Sequence, residues 1–371
     1  MASSAVNFGV FTVGARDDYE ECAQVTGDAL FRWEPTQRRL KDLESFDGRI
    51  PPSRSEYAAP ALADHSMSGR LQLSYVPDWE RDIPEMIDAL EQAGYALNPD
   101  SKLGDPIGLS IMINWAKNGV RTTAKDLITP APDNLTVVME APVQRVRFER
   151  KKAMGVKTND KTYEASKEII VCAGTLNTLS ILMHSGIGDP KQLRKLGITV
   201  EAPFEALGQS LRDHFYCPLV NWQADHSGPW SKLACELGMG WFKIDGIEEM
   251  EEFRGLPSLT TRPSWSFCSA HRLPGDQSAD PNVPLRFNPE LFESPFDTRL
   301  AIEILRKVVG MVKHEAFAKL LTAPMAMPKS DSDEKLLAYR KQNAASTGHT
   351  QALAYMLGLT CAEKIIAEHH L

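Results

Sequence analysis

Residues 168–188 constrain this chain more tightly than any other stretch of it. Glu168, Ile169, Ile170, Val171 and Cys172 form a short apolar run rich in β-branched side chains, the pattern of a buried strand. Ala173 and Gly174 break the run, and from Asn177 onward Leu179, Leu182 and Met183 recur at helical spacing, with Thr175 or Asn177 placed to cap the helix. Ser185, Gly186, Ile187 and Gly188 end it. The order is strand, small-residue turn, helix. Such a turn leaves backbone N–H groups free at the positive end of a helix, where a phosphate or another anion is stabilised.

The sequence around this unit sets broad bounds. A chain of 371 residues can bury a large core and has the length for two domains. Its net charge of -8 speaks against nucleic acid or an anionic membrane as a partner, because both select basic protein surface. No run approaches the ~18 consecutive apolar residues of a membrane-spanning helix. Residues 1–19 show no basic segment ahead of an apolar one, so a cytoplasmic location is expected. Cys22, Cys172, Cys217, Cys235, Cys268 and Cys361 contain no C-x-x-C pair, which predicts free thiols and no metal site.

Periodicity places further elements. Ile83, Met86, Ile87, Leu90 and Ala93 mark one face of a helix closed by Gly94, and residues 135–139, 143–149 and 153–157 read as short strands leading towards residue 168. A short helix from Pro190 to Gly197 and a strand at 198–200 follow. Leu300, Ile304, Val308, Met311 and Val312 predict another helix, and Ala352, Tyr355, Met356, Leu359 and Ile366 give the buried side of a C-terminal one. Glu248, Glu249, Glu251 and Glu252 read as a solvated face.

Several of these segments carry a resemblance. Gly174, Thr175, Thr178, Ile181, Leu182, Ser185, Gly186, Ile187 and Gly188 resemble the second signature of the glucose-methanol-choline (GMC) oxidoreductases, a family of FAD-dependent alcohol oxidases and dehydrogenases. Leu179 stands where that signature has proline. Ser3, Ser4, Ala5, Val6 and Asn7 resemble the back half of the first signature, with Met1 and Ala2 in place of two glycines. Gly119 to Ala124 is similar to a Gly-x-Arg-x-Ser segment of the family, and Gly208, Leu211, Asp213 and His214 to its Gly-x-x-Leu-x-Asp-His run. Gly348, His349, Thr350 and Gln351 resemble the approach to the family's terminal helix, where a His or Asn is one member of the catalytic pair.

The resemblance implies a mixed α/β fold in which a reduced FAD-type domain (1–30, 110–205 and 336–371) is interleaved with a substrate-binding or cap domain containing an antiparallel sheet (31–109 and 206–335). It puts Ser3, Ser4, Asn7, Val143, Ala173, Gly174, Gly348 and Gln351 at cofactor-contacting positions, Val143 through its backbone. It makes His349 the foremost catalytic candidate, followed by Asp213 and His214.

Two features of the family are not matched. No G-x-G-x-x-G turn holds a dinucleotide pyrophosphate, since Gly186-Ile187-Gly188 and Gly238-Met239-Gly240 both lack the third glycine. The His-x-x-Gly-Thr motif that carries the first member of the catalytic pair is missing as well. Losing two or three charge-assisted hydrogen bonds of about 1.5–3 kcal/mol each weakens FAD on the order of 100-fold to a million-fold.

The reading from sequence is therefore a remnant of the FAD-binding domain without its N-terminal Rossmann βαβ unit, binding neither cofactor nor metal. Neutral His349 beside helix N–H groups would act as a base for isomerisation, dehydration or cyclisation of an apolar small molecule. Two alternatives stand beside it: an FAD-dependent alcohol oxidoreductase that completes its site unconventionally, and a non-catalytic binding partner. A parallel sheet with a bare edge also predicts a homodimer that covers it.

Overall fold

The computed structural model describes residues 2–7, 9–50, 52–76, 83–208, 211–216, 221–224, 238–241, 267–270, 278–283, 295–318, 320–343, 345–346 and 351–370. The chain divides into two compact units, one formed by Met1–Pro132, Phe215–Ser266 and Thr298–Leu371, the other by Asp133–His214 and Phe267–Asp297.

Along the chain, the first unit opens with α1 (Ala2–Val6), β1 (Val10–Phe11), α2 (Arg16–Thr26), α3 (Trp33–Leu43), β2 (Glu44–Asp47) and β3 (Leu71–Tyr75). These are followed by α4 (Ile83–Gln92), β4 (Gly108–Ile111), β5 (Ile113–Asn114), β6 (Ala116–Lys117), β7 (Val120–Arg121) and α5 (Ala124–Leu127). The second unit holds β8 (Val143–Glu149), β9 (Lys152–Thr158), β10 (Thr162–Glu164), α6 (Gly174–His184), β11 (Ile187–Gly188), α7 (Pro190–Lys195) and β12 (Ala202–Pro203). The remaining elements are β13 (Leu211–Tyr216), β14 (Asn221–Ala224), β15 (Gly238–Trp241), β16 (Phe267–Ala270), α8 (Pro295–Val312), β17 (Leu321–Ala326), α9 (Asp333–Asn343), β18 (Ala345–Ser346) and α10 (Gln351–His369).

In the first unit the four-stranded sheet has the order β1-β5-β3-β2, with β2 parallel to β3 and the other pairs antiparallel. Leu71, Leu73 and Tyr75 alternate along β3 and are all buried, as expected of a strand with one covered face. They pack with Phe11, Trp33, Phe46, Ile113 and Trp115, and α10 adds Ala352 and Met356 to the same core. Arg39 of α3, 1% exposed, donates from Nε to Glu363 Oε1 (3.0 Å) and from Nη1 to the Leu30 carbonyl (2.7 Å), which ties α10 to α3. The pairs β4–β15 and β14–β17 are antiparallel. Leu305 of α8 and Leu336 of α9 are fully buried against each other's neighbourhood, below an ion-pair network in which Arg299 meets Asp333 (2.8 Å) and Arg306 meets Glu303 (2.6 Å).

The second unit is an antiparallel meander β10-β9-β8 against which α6 packs. Pro190 takes the first position of α7, where its missing N–H is not needed, and Asp189 Oδ1 accepts from the Lys191 N–H (2.9 Å) as a cap.

The mixed α/β architecture, α4, β8, β9, α7, α8 and α10 agree with the sequence reading. Residues 168–172 do not. They are coil, and so are residues 135–139. Ile170 is 61% exposed, and Leu135, Val137, Val138 and Met139 are exposed too. A strand exists through its ladder, and neither segment has a strand partner among the described residues. The predicted strand at 198–200 is likewise coil, the chain pairing instead at β12, parallel to β11. α6 starts at Gly174, ahead of the expected caps, and Ile366 is half exposed instead of buried.

Candidate functional site

Two segments of the first unit that are distant in sequence close on one another. Arg121, at the end of β7, donates from Nη1 to the Asn7 carbonyl (2.6 Å) and to Asn7 Oδ1 (2.7 Å), 114 residues away. Asn7 Oδ1 also accepts from the Gly9 N–H (2.9 Å). The Ser4 hydroxyl is buried and accepts from the Ala124 N–H (3.2 Å), so it satisfies one of the free N–H groups at the start of α5. Thr122 donates to the Gln72 carbonyl (2.9 Å), and Thr123 with Asp126 forms a capping box on α5. The two motifs that sequence resemblance singled out separately thus form one bonded assembly.

Trp115 lies beside it, its backbone N–H donating to the Gly9 carbonyl (2.7 Å). Its indole stands edge-on to Phe11 (4.8 Å between centroids) and to Tyr355 of α10 (5.6 Å). Nε1 of Trp115 is buried and has no hydrogen-bond partner among the described residues. An orphaned buried donor costs about 1–3 kcal/mol, so the position is one where an acceptor belongs. Sequence reasoning missed Trp115; its only signal was a tryptophan four residues before a motif glycine.

Ser3 lies in α1 and Gln351 is the first residue of α10, their side chains outside the described residues. Gly348 and His349, three and two residues ahead of α10, lie outside them altogether. Asp213 and His214 sit on β13 opposite Cys268 and Phe267 of β16, again without described side chains.

In the second unit the turn before α6 is open. Ala173 is the N-cap and makes no side-chain capping bond, and Gly174 has φ +82° with nothing within 4 Å of where a Cβ would stand. The backbone N–H groups at the head of an eleven-residue helix are therefore left without a side-chain cap. Val143 begins β8, opposite Thr158.

A second polar group, also missed, lies inside the first unit. His65 reads in the sequence as one of several isolated histidines, but its side chain is 4% exposed, with Nδ1 3.2 Å from Glu44 Oε1 and Nε2 3.5 Å from Asp100 Oδ2. Burial pulls the imidazole pKa down, yet contact with Asp100 and Glu44 outweighs burial and lifts it to about 9. For Asp100 the penalty of burial is overcome by His65, which holds the carboxyl below its usual range. Lys102, fully enclosed, donates to Ser101 Oγ (3.2 Å), and burial lowers it to about 8 against the opposing pull of Asp100. No period links positions 44, 65, 100 and 102, so spacing could not have found them.

Residues 2–216 match the family described as GMC oxidoreductase. The chain belongs to the GMC oxidoreductase family. It is 28% identical over 218 residues to ecdysone oxidase of Bombyx mori, covering 57% of this chain and 32% of that protein. It is 32% identical over 206 residues to the oxygen-dependent choline dehydrogenase of Ectopseudomonas mendocina, covering 51% of this chain and 36% of the relative. The match thus spans about a third of the length of these curated relatives. The fold is that of Aspergillus oryzae formate oxidase, with a TM-score of 0.82 at 18% identity, covering 99% of this chain and 84% of that one.

These findings overturn the expectation of a protein without cofactor. The family is one of oxidoreductases, and the formate oxidase structure concerns modification of its FAD. Pyrophosphate contacts are one part of the surface that holds a dinucleotide, so a missing G-x-G-x-x-G turn does not by itself set the affinity. Taken unit by unit, the residues fit such a group in kind: within the second, an uncapped, unobstructed helix turn at Ala173–Gly174 suits an anionic or close-lying moiety, and within the first, Trp115 beside the Asn7–Arg121 assembly has a buried donor unused among the described residues.

Proposed function

We propose that this protein is an FAD-dependent oxidoreductase acting on a small, largely apolar alcohol. The observation that carries the reading is the unpartnered Trp115 Nε1, set among the segments that resemble the family's cofactor-contacting motifs. Bound flavin supplies a two-electron acceptor for the hydride leaving the carbon that bears the hydroxyl.

The chain's own residues have simpler tasks. Arg121 holds Asn7 and the α1 turn rigid, so that Ser3, Ser4 and Asn7 present a fixed backbone surface. Ala173 and Gly174 offer backbone N–H groups to the nucleotide portion, and Val143 a backbone edge. Trp115 Nε1 donates a hydrogen bond to a cofactor or substrate oxygen. A ring nitrogen of His349 takes the hydroxyl proton as the C–H bond breaks, with Asp213 and His214 as further candidates for polar contact.

Anaerobic titration of the FAD-supplemented protein with a panel of primary alcohols tests this. Bleaching of the flavin band by an alcohol, lost in His349→Ala while flavin binding persists, is the expected result. A protein that binds no FAD, or whose bound flavin no alcohol reduces, rules the reading out. The exposed apolar stretches at 135–139 and 170 support the expected homodimer. A single monomeric species in sedimentation at micromolar concentration contradicts that part.

A further inference from the structure

The second unit contains a half-open cavity of about 610 Å³, within the ~300–1,000 Å³ range of small-molecule sites. Its walls are β8, Lys157 of β9, the C-terminal end of α6, residues 197–201 and the 278–283 segment. The cavity is distinct from the Ala173–Gly174 turn, because His184 to Gly186 stand at the opposite end of α6, about 16 Å away for eleven residues at 1.5 Å each.

The walls are held by specific bonds. Ser185 Oγ accepts from the Val146 N–H (2.7 Å) and donates to the Ile181 carbonyl (2.5 Å), which fixes β8 to α6. Gly186 has φ +85°, and a Cβ there would stand 2.3 Å from the Thr199 carbonyl oxygen, so the two backbones touch. His184 bridges from α6 to the far wall, with Nδ1 2.8 Å from the Ser180 carbonyl and Nε2 3.2 Å from the Ser278 carbonyl. Asp280 Oδ1 closes the 278–283 turn by accepting from the Asn282 N–H (2.9 Å).

The charges inside are unbalanced. Arg147 is neutralised by Glu164 and Glu149. Arg145 and Lys157, by contrast, are direct partners in the β8–β9 register, and neither forms an ion pair or hydrogen bond among the described residues. Like charges directly opposite on paired strands destabilise the ladder. Among the described residues, Glu201 is the single carboxylate on the wall, against these two unpaired cations and the already paired Arg147. An anion with at least two acceptor oxygens and room for a larger body behind it relieves the repulsion and uses the volume.

We propose that this cavity binds a small phosphate monoester, with its phosphate between Arg145 and Lys157. The guanidinium supplies a forked donor and the ammonium a point charge. The site is independent of the flavin reading, since none of its residues belongs to the cofactor-contacting set.

Calorimetric titration of the full chain at low ionic strength, with inorganic phosphate and with glycerol 3-phosphate as probes and glycerol as the neutral control, tests the assignment. Both phosphates are expected to bind saturably and glycerol not at all. Each of Arg145→Ala and Lys157→Ala removes a charge-assisted hydrogen bond and weakens binding by about 10-fold to 100-fold. Lys157→Arg retains most of the affinity, and Lys152→Ala, which removes an exposed charge of β9 outside the cavity wall, leaves it unchanged. Far-UV circular dichroism checks that each variant is folded. Saturable binding that survives both alanine substitutions, or no saturable binding of either phosphate to the wild-type chain, overturns the proposal.

Discussion

β3 and residues 168–172 are both five-residue segments with at least three apolar side chains, yet Leu71 and Leu73 are 0% exposed while Ile170 is 61% exposed. The difference lies in what each pattern requires. β3 alternates, so it needs one covered face, and β2 and β5 flank it with ladder partners. The run from Ile169 to Cys172 is continuous, which suits a strand covered on both faces with neighbours on both edges. Among the described residues no strand pairs with it. Strand propensity states what a segment can join, and the ladder decides whether it has done so.

Substitutions sharpen that contrast. Leu73→Ala is expected to cost about 2–5 kcal/mol of unfolding free energy, read from chemical denaturation. The two ends of α6 provide the next comparison. Gly186→Ala meets both a left-handed backbone and the Thr199 carbonyl, for roughly 2–4 kcal/mol, whereas Gly174→Ala meets only the backbone preference, about 1–2 kcal/mol. Equal losses at the two glycines would show that Gly186 has room the structure does not give it.

The buried charges make a third, with an unusual pH signature. His65 is raised to about 9 from 6.5, so its contribution is complete below pH 6.5 and is lost as pH climbs to 9. Lys102 is lowered to about 8 from 10.5, so the penalty for enclosing its charge is relieved between pH 8 and 10.5. Stability is expected to fall from pH 6.5 to 8, level between 8 and 9, and rise from 9 to 10.5, each limb on the order of 1–3 kcal/mol. His65→Gln removes the falling limb and Lys102→Met the rising one. A profile unchanged in both variants would break the assignment. The smallest effect is Ile170→Ala, within ~0.5 kcal/mol. A larger loss would mean that residues 168–172 are packed in solution.

Much of this was legible in the sequence, and the boundary is physical. α4 and α10 follow from periodicity, because a helix closes its own hydrogen bonds, and β8 and β9 follow because they are neighbours in sequence that pair with each other. The meeting of Asn7 with Arg121 was half legible, since both motifs stood out and only their contact was hidden. Trp115 and the His65 group were not legible. Their partners come from segments whose closeness is a product of tertiary packing, and no local rule encodes it. The cofactor expectation failed for a related reason. It weighed one lost motif and omitted the surface that the remaining ones build together.

The clamp between Arg39 and Glu363 sets a schedule for synthesis. A ribosome adding about 5–20 residues per second exposes the guanidinium long before its carboxylate, which follows 324 positions later. For roughly 16 to 65 seconds the nascent polypeptide carries an arginine that cannot be enclosed without an uncompensated charge. The first unit therefore cannot complete its interior until Glu363 has been made, and chaperones have that interval in which to hold it.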